Sequence, residues 1–273
     1  MAKHRSKWSF RTYHRRICEG RGSGTMEQYK PWITIHDLAS RGFVSRVYGL
    51  KTRRIHHLLS RNETAFFYIL DESERVLDIR EQFPLLPVDE TVQIAQDAGI
   101  WHPRDPESRY PYVMTSDFLI TTPDGLCVRS VKETKDLARI RVREKLEIER
   151  RYWKERGVDW KIVTEEQIDF QKARNIEWMR KARGYPDMMP EDADTESILA
   201  FFQELYEGSS LSIAQIARAT EEAFLLEKGA GLLTYQYLIM KKRLRVDLSL
   251  PMDIVTARTG RGSEVYSWIP TYV

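Results

Sequence analysis

The stretch PYVMTSDFLITTPDGLCVRSVK, residues 111–132, decides the fold. Its two halves, 111–121 and 126–132, are rich in Val, Ile, Leu, Phe and Thr, and Pro123-Asp124-Gly125 joins them. Runs of this kind flanking Asp-Gly predict a β-hairpin. Taking Asp124-Gly125 as a two-residue turn sets Asp117 directly opposite Lys132. Opposed residues project on one side of a sheet, and Ser130, two residues before Lys132, shares that side.

Working outward, residues 60–72 (SRNETAFFYILDE) predict a helix with Ser60 as N-cap and Ala65, Phe66, Ile69 and Leu70 on one face. Glu63 in its first turn reaches the same sheet edge. Residues 75–80 alternate like a half-buried strand, Pro84 and Pro87 break regular structure, and 88–110 reads as a loop. After the hairpin, 134–156 predicts a charged helix closed by Gly157. A strand follows at 158–163, and Thr164 with Gln167 makes a capping box for a helix to about 182. The Gly-, Pro- and acid-rich segment 183–197 marks a domain boundary. Beyond it, helices near 196–207, 211–219 and 221–243 precede a strand-like LRVDLSL at 244–250. The expected fold is therefore an α/β domain over 31–183, preceded by a basic arm (1–30) and followed by a mainly helical, winged-helix-like domain (184–273). Ile213, Ile216, Ala217, Phe224 and Leu225 are expected in the core of the last. Glu221 and Glu222 would open its long helix, an unfavourable start for entering a DNA groove, so protein binding is expected there.

The chain has 273 residues, 42% hydrophobic and 11% aromatic, which excludes a disordered or fibrous class. Cys18 and Cys127 are too few for a disulfide scaffold and lack zinc spacing, so reduced thiols in a cytosol are expected. No apolar run approaches the ~18 residues of a membrane helix. Charge is lopsided: residues 1–61 carry a net +11 and the remainder −8. Such an arm reads either as a polyanion contact or as a solvated tail. Arg15, Arg16 and Arg21 are its candidate phosphate contacts. Trp8, Phe10, Tyr13, Tyr29 and Trp32 suit base stacking, and GRGSG at 20–24 reads as a hinge. On the 139–156 helix, pairs such as Glu147–Arg151 fit a solvated face. Contact of Arg150, Arg151 or Lys154 with DNA backbone is the alternative. His56 and His57 are adjacent, point to opposite faces of a strand and so do not form a metal pair.

Asp117, Lys132 and Glu63 carry a recognisable chemistry. Phosphodiester hydrolysis needs a hard divalent cation, which carboxylate oxygens hold. A lysine beside it orients water or neutralises charge on the phosphate in the transition state. Spacing alone fits a surface ion pair equally well.

An Asp on the first hairpin strand and x-Lys on the second is the pattern of restriction-endonuclease-like nucleases. RIHHLLS (54–60), VLDIREQFPLLP (76–87), TSDFLI (115–120), SVK (130–132) and EKLEIERRYW (144–153) occur in an order that resembles the TnsA family. These are the endonuclease subunits of heteromeric Tns-type bacterial transposases. The resemblance covers about 8–180, and the C-terminal domain matches in placement more than in words. It implies a magnesium-dependent DNA endonuclease that cuts the 5′ ends of a transposon during excision. The double-stranded ends would be the substrate, TnsB the partner transposase and TnsC the ATP-dependent regulator, in a bacterial cytoplasm at the nucleoid. Glu63 and Asp117 would bind magnesium, the Val131 carbonyl would assist, and Lys132 would act at the scissile phosphate. The sequence departs from the family at Ser130, where Glu or Gln is usual. Serine is a weaker ligand, and Glu149 on the next helix is a candidate substitute. The departure also fits another class, a DNA-binding architectural subunit without catalysis. A nuclease acting without partners is a third reading.

Overall fold

The structure is a computed structural model and describes residues 8–37 and 43–256. It divides into two compact units, one ending at Ile168 and one beginning at Asp169. The Gly-, Pro- and acid-rich segment expected as the boundary lies inside the second unit. Tyr185 there is fully buried, and its hydroxyl meets Thr234 Oγ1 at 2.8 Å.

The first unit opens with α1 (Phe10–Cys18), capped by Ser9. A hairpin of β1 (Ser45–Tyr48) and β2 (Ile55–Leu58) follows, then α2 (Arg61–Glu72). The main sheet has the order β3 (Asp78–Pro84), β4 (Thr115–Thr122), β5 (Gly125–Val131), β6 (Asp159–Val163). The first three strands are antiparallel, and β6 runs parallel to β5. A parallel neighbour needs a crossover, which α4 (Ile140–Glu155) supplies. Phe118, Leu119 and Ile120 are all buried because the sheet is covered on both faces. Leu119 and Val128 cluster with Ile148, Tyr152 and Trp153 of α4. Phe118 meets Phe66 of α2 edge-on at 5.8 Å.

Several expectations change. β3 begins at Asp78 and runs through Pro84, later than 75–80, because Leu77 already bonds the Thr121 carbonyl and the ladder continues from there. Part of the expected loop 88–110 is a helix, α3 (Val88–Asp97), with Asp89 and Glu90 in its first turn and Val88, Thr91, Ile94 and Ala95 buried. Acids at a helix start and that apolar spacing were legible signals. The charged helix is broken at Arg139, a 3-10 turn covering 134–138. Thr164 and Gln167 form a turn, and α5 (Phe170–Met179) starts later, capped by Asp169.

The basic arm is not loose over its described part; residues 1–7 lie outside the described residues. Trp8, Tyr29 and Trp32 are buried, so they are not available for base stacking. Arg16 sits over the Trp8 and Trp32 rings and pairs with Asp37 at 3.0 Å. Arg21 bonds Asp37, Glu19 and the Trp32 carbonyl. GRGSG is a fixed turn rather than a hinge. Gly22 has φ +81°, and a Cβ there would lie 2.2 Å from the Pro84 side chain.

In the second unit the described residues form α5, α6 (Tyr185–Met188), α7 (Thr195–Gly208), α8 (Ile213–Ala223) and α9 (Ala230–Met240). Among the described residues LRVDLSL forms no strand, and residues 257–273 lie outside them. The Leu248 and Leu250 carbonyls instead accept from Asn175 Nδ2, both at 2.7 Å. The expected wing is thus not made by this segment. The break between the last two helices falls at 224–229, with Leu225 at φ +51° and Gly229 at φ +100°. Glu221 and Glu222 therefore end α8 rather than open α9. The Glu221 carboxylate still caps α9, accepting from Gly229 N and Gly231 N. Ile213, Ile216 and Ala217 are core as expected, whereas Leu225 is 92% exposed on the turn.

Candidate active site

Glu63 is placed by the start of α2. Ser60 Oγ accepts the Glu63 N–H at 3.1 Å and donates to Glu63 Oε1 at 3.0 Å, and Leu59 N donates to Oε2 at 3.0 Å. This N-terminal box holds the carboxylate buried against the sheet.

Asp117 is placed by a break in β4. Pairing with β3 passes from Glu81↔Phe118 to Phe83↔Ser116, and pairing with β5 stops at Phe118↔Arg129. Ser116 and Leu119 both face α4, Ser116 through Trp153 and Glu149 and Leu119 through the core. Residues three apart cannot share a face of an unbroken pleat, so the pleat changes phase between them.

The register differs from the sequence expectation. Thr122↔Gly125 closes the hairpin, so Pro123-Asp124 is the turn and Asp117 is not directly opposite Lys132. Proline sets φ for the first central turn position, and Gly125 takes φ +126° after it. The side chains still meet, because Lys132 follows the end of β5 and its chain reaches back. Lys132 Nζ lies 2.6 Å from Asp117 Oδ2 and 2.8 Å from the Val131 carbonyl oxygen. Val131 N donates to the same Asp117 oxygen at 2.7 Å.

Glu149, buried on α4, joins them from a third element. Its Oε1 accepts from Ser116 Oγ at 2.6 Å and Ser130 Oγ at 2.5 Å. Two indoles hold those hydroxyls: Trp153 Nε1 donates to Ser116 Oγ and Trp160 Nε1 to Ser130 Oγ. Ser130 is therefore bound to the residue considered as its substitute. Sequence reading missed Ser116 and Gln82. Gln82 Nε2 donates to Glu63 Oε2 at 3.3 Å.

The electrostatics follow from crowding. Burial first, then the Asp117 charge, raises Glu63 from an ordinary 4.5 to about 7. The same two causes raise Glu149. Burial alone would lower Lys132, but Asp117, Glu149 and Glu63 outweigh it and the ammonium is held above its ordinary value. Several acids thus share one cation. Among the described residues no three His, Cys, Asp or Glu side chains already converge to hold a metal.

Residues 73–165 match the family model described as TnsA-like endonuclease N terminal, and 167–248 that described as TnsA endonuclease C terminal. The chain belongs to the TnsA family. It is 45% identical over 184 residues to the Escherichia coli transposon Tn7 transposition protein TnsA. That match covers 66% of this chain and 66% of the relative's length. Of the site residues, Asp117, Ser130, Val131, Lys132 and Glu149 lie within the TnsA-like N-terminal match, while Glu63 precedes it.

The remaining sequence candidates lie apart from this cluster. Arg150 and Arg151 both pair with Glu147 at 2.7 Å, and exposed Arg15 pairs with Glu19 at 3.6 Å. His56 is spent on buried contacts, Nδ1 on Glu81 at 2.8 Å and Nε2 on Thr52 at 2.6 Å. Both cysteines are free. No helix among the described residues is long and apolar enough to cross a membrane.

Proposed function

We propose that this chain is the magnesium-dependent DNA endonuclease subunit of a cut-and-paste transposase, with a restriction-endonuclease-like first unit. The observation that carries the reading is the lysine ammonium bound at once to Asp117 and the Val131 carbonyl, beside a buried acid raised to about 7. The donor set fits magnesium. Asp117, Glu63 and the Val131 carbonyl are hard oxygens, and the repulsion that raises Glu63 and Glu149 is what a dication would relieve. Bound magnesium would supply Lewis acidity at the phosphate and lower the pKa of a water nucleophile.

Asp117 and Glu63 would hold the ion, and Lys132 would leave Asp117 for the scissile phosphate and offset its developing charge. Glu63 is buried and Asp117 and Lys132 half-buried, so solvent screens these charges less than at an open surface. Glu149 serves as the second acid that Ser130 cannot supply. An architectural, inactive subunit is the weaker reading, since the residues around Ser130 keep a carboxylate in place. Arg15, Arg150 and Arg151 remain candidate backbone contacts, whereas Arg16 and Arg21 are engaged with Asp37. The substrate is double-stranded transposon-end DNA. TnsB is the partner for cutting, and the C-terminal unit is the proposed contact for TnsC.

The test is cleavage of transposon-end duplex in magnesium. Cutting of 5′ ends with TnsB present, and none when TnsB is omitted, is expected. Cutting without TnsB would instead identify a self-sufficient nuclease, and no cutting under any condition an architectural subunit.

A second expectation separates Ser130 from Glu149. Ser130→Ala removes one of two hydroxyl donors to Glu149, so its effect is that of an outer partner. Such losses cost ~10–100-fold in metal affinity, and the smaller end is expected because Ser116 remains. Glu149→Ala should raise the magnesium requirement more. Equal requirements for the two variants in a magnesium titration would make Ser130 itself the ligand.

A further inference from the structure

The string VLDIREQFPLLP contains one residue whose backbone departs from the strand it lies in. Gln82, inside β3, is buried and has φ +48°. It is skipped in the ladder with β4, at the level where Asp117 is also unpaired. A non-glycine residue in this region is strained and persists only where its surroundings fix it. Here they do. Glu81 before it is held by two bonds from Arg54, one from His56 and one from His57 N. The Gln82 carbonyl accepts from Trp32 N at 3.2 Å, and Phe83 after it stacks on Tyr29.

The side chain shows what the kink accomplishes. Its Oε1 accepts from Thr115 Oγ1 at 3.1 Å, two residues before Asp117, and its Nε2 reaches Glu63 Oε2. The other donors to Glu63, from Leu59 and Ser60, belong to the entry of its own helix. Among these contacts Gln82 is the one that ties the Glu63 carboxylate to the sheet carrying Asp117.

We propose that Gln82 is a positioning residue, whose left-handed backbone aims its amide so that Glu63 and Asp117 are set together for one divalent cation. This rests on the magnesium reading above and adds a residue to it. A structural role alone would make Gln82 matter for folding and not for metal affinity. The proposed role predicts the reverse, because glycine accepts this φ without strain but offers no amide.

The test is manganese(II) binding to the whole chain, followed by electron paramagnetic resonance, with thermal unfolding measured on the same samples. Manganese favours the same oxygen donors. Gln82→Gly is expected to bind manganese ~10-fold more weakly, the scale of a lost outer-shell partner, while still folding and unfolding in one cooperative transition on heating. Gln82→Asn, which also tolerates the left-handed region but is one methylene shorter, should likewise lose affinity while staying folded. Wild-type affinity in both variants would overturn the proposal, as would failure of both to fold. No binding by the wild type itself would instead overturn the metal reading on which the proposal rests.

Discussion

Asp117→Ala is expected to lower 5′-strand cleavage by on the order of 10³-fold, the scale of losing one preorganised charge-stabilising group. TnsB cutting of the 3′ strand in the same reaction should persist. The size follows from the number of things Asp117 does. It is the acid whose Oδ2 receives both Lys132 Nζ and Val131 N. Under the proposed function its loss would remove a metal ligand and also the carboxylate that keeps the Lys132 ammonium at the site before DNA binds. Lys132→Ala should approach the same loss through the phosphate charge alone, yet keep metal binding. Strand-resolved gels with end-labelled DNA, combined with metal titration of both variants, check this. Equal loss of metal binding in the two variants would contradict the separate roles.

Glu63→Gln is expected to stabilise the metal-free protein while abolishing cleavage. Glu63 titrates near 7 in the folded chain and at about 4.5 when unfolded. The folded state therefore binds more protons between these values, and stability falls as pH rises from about 4.5 to about 7. Above that window the ionised group costs on the order of 3 kcal/mol. Glutamine removes the cost. The new NH₂ can take the Oε1 position, where the Ser60 hydroxyl rotates to accept from it, so the Leu59 N–H and the Gln82 amide keep their acceptor at Oε2. Chemical denaturation without metal should find the variant more stable than wild type at pH 8 and equal to it at pH 4. Excess magnesium should reverse the order at pH 8, because binding adds stability only to the chain that binds. A variant less stable than wild type at pH 8 without metal would refute this account of Glu63.

The parts of this site that local chemistry dictates were legible in the sequence. Ser60 capping Glu63 is a short-range pattern, and the hairpin bearing Asp117 and Lys132 announces itself by Asp-Gly between β-rich runs. What was not legible depends on long-range accommodation. The turn slips by one residue because Pro123 fits its first central position, so Asp117 and Lys132 are not opposed; their side chains meet through the pleat break at Asp117 and the reach of Lys132 back past the end of β5. No periodicity reveals such a break. The burial of Trp8, Tyr29 and Trp32 likewise depends on partners far along the chain: the Trp8 indole donates to the Pro111 carbonyl. Interleaved charge and aromatics looked like a DNA-tracking arm because composition cannot tell an exposed ring from a packed one. Helix α3 was missed although its signals were present, since Pro84 and Pro87 drew the reading toward a loop. VLDIREQFPLLP stood out with no rule to explain it. Its polar residues have structural reasons, with Asp78 accepting from Met26 N, Glu81 closing on Arg54 and His56, and Gln82 reaching Glu63.

The most direct measurement is anomalous diffraction from crystals of the chain with transposon-end DNA and manganese. An anomalous peak is expected at metal–oxygen bonding distance from the Asp117 carboxylate and the Val131 carbonyl, with Glu63 facing it and Lys132 Nζ moved from Asp117 to a phosphate. Bound DNA with manganese absent from those oxygens, and Lys132 still on Asp117, would contradict the account.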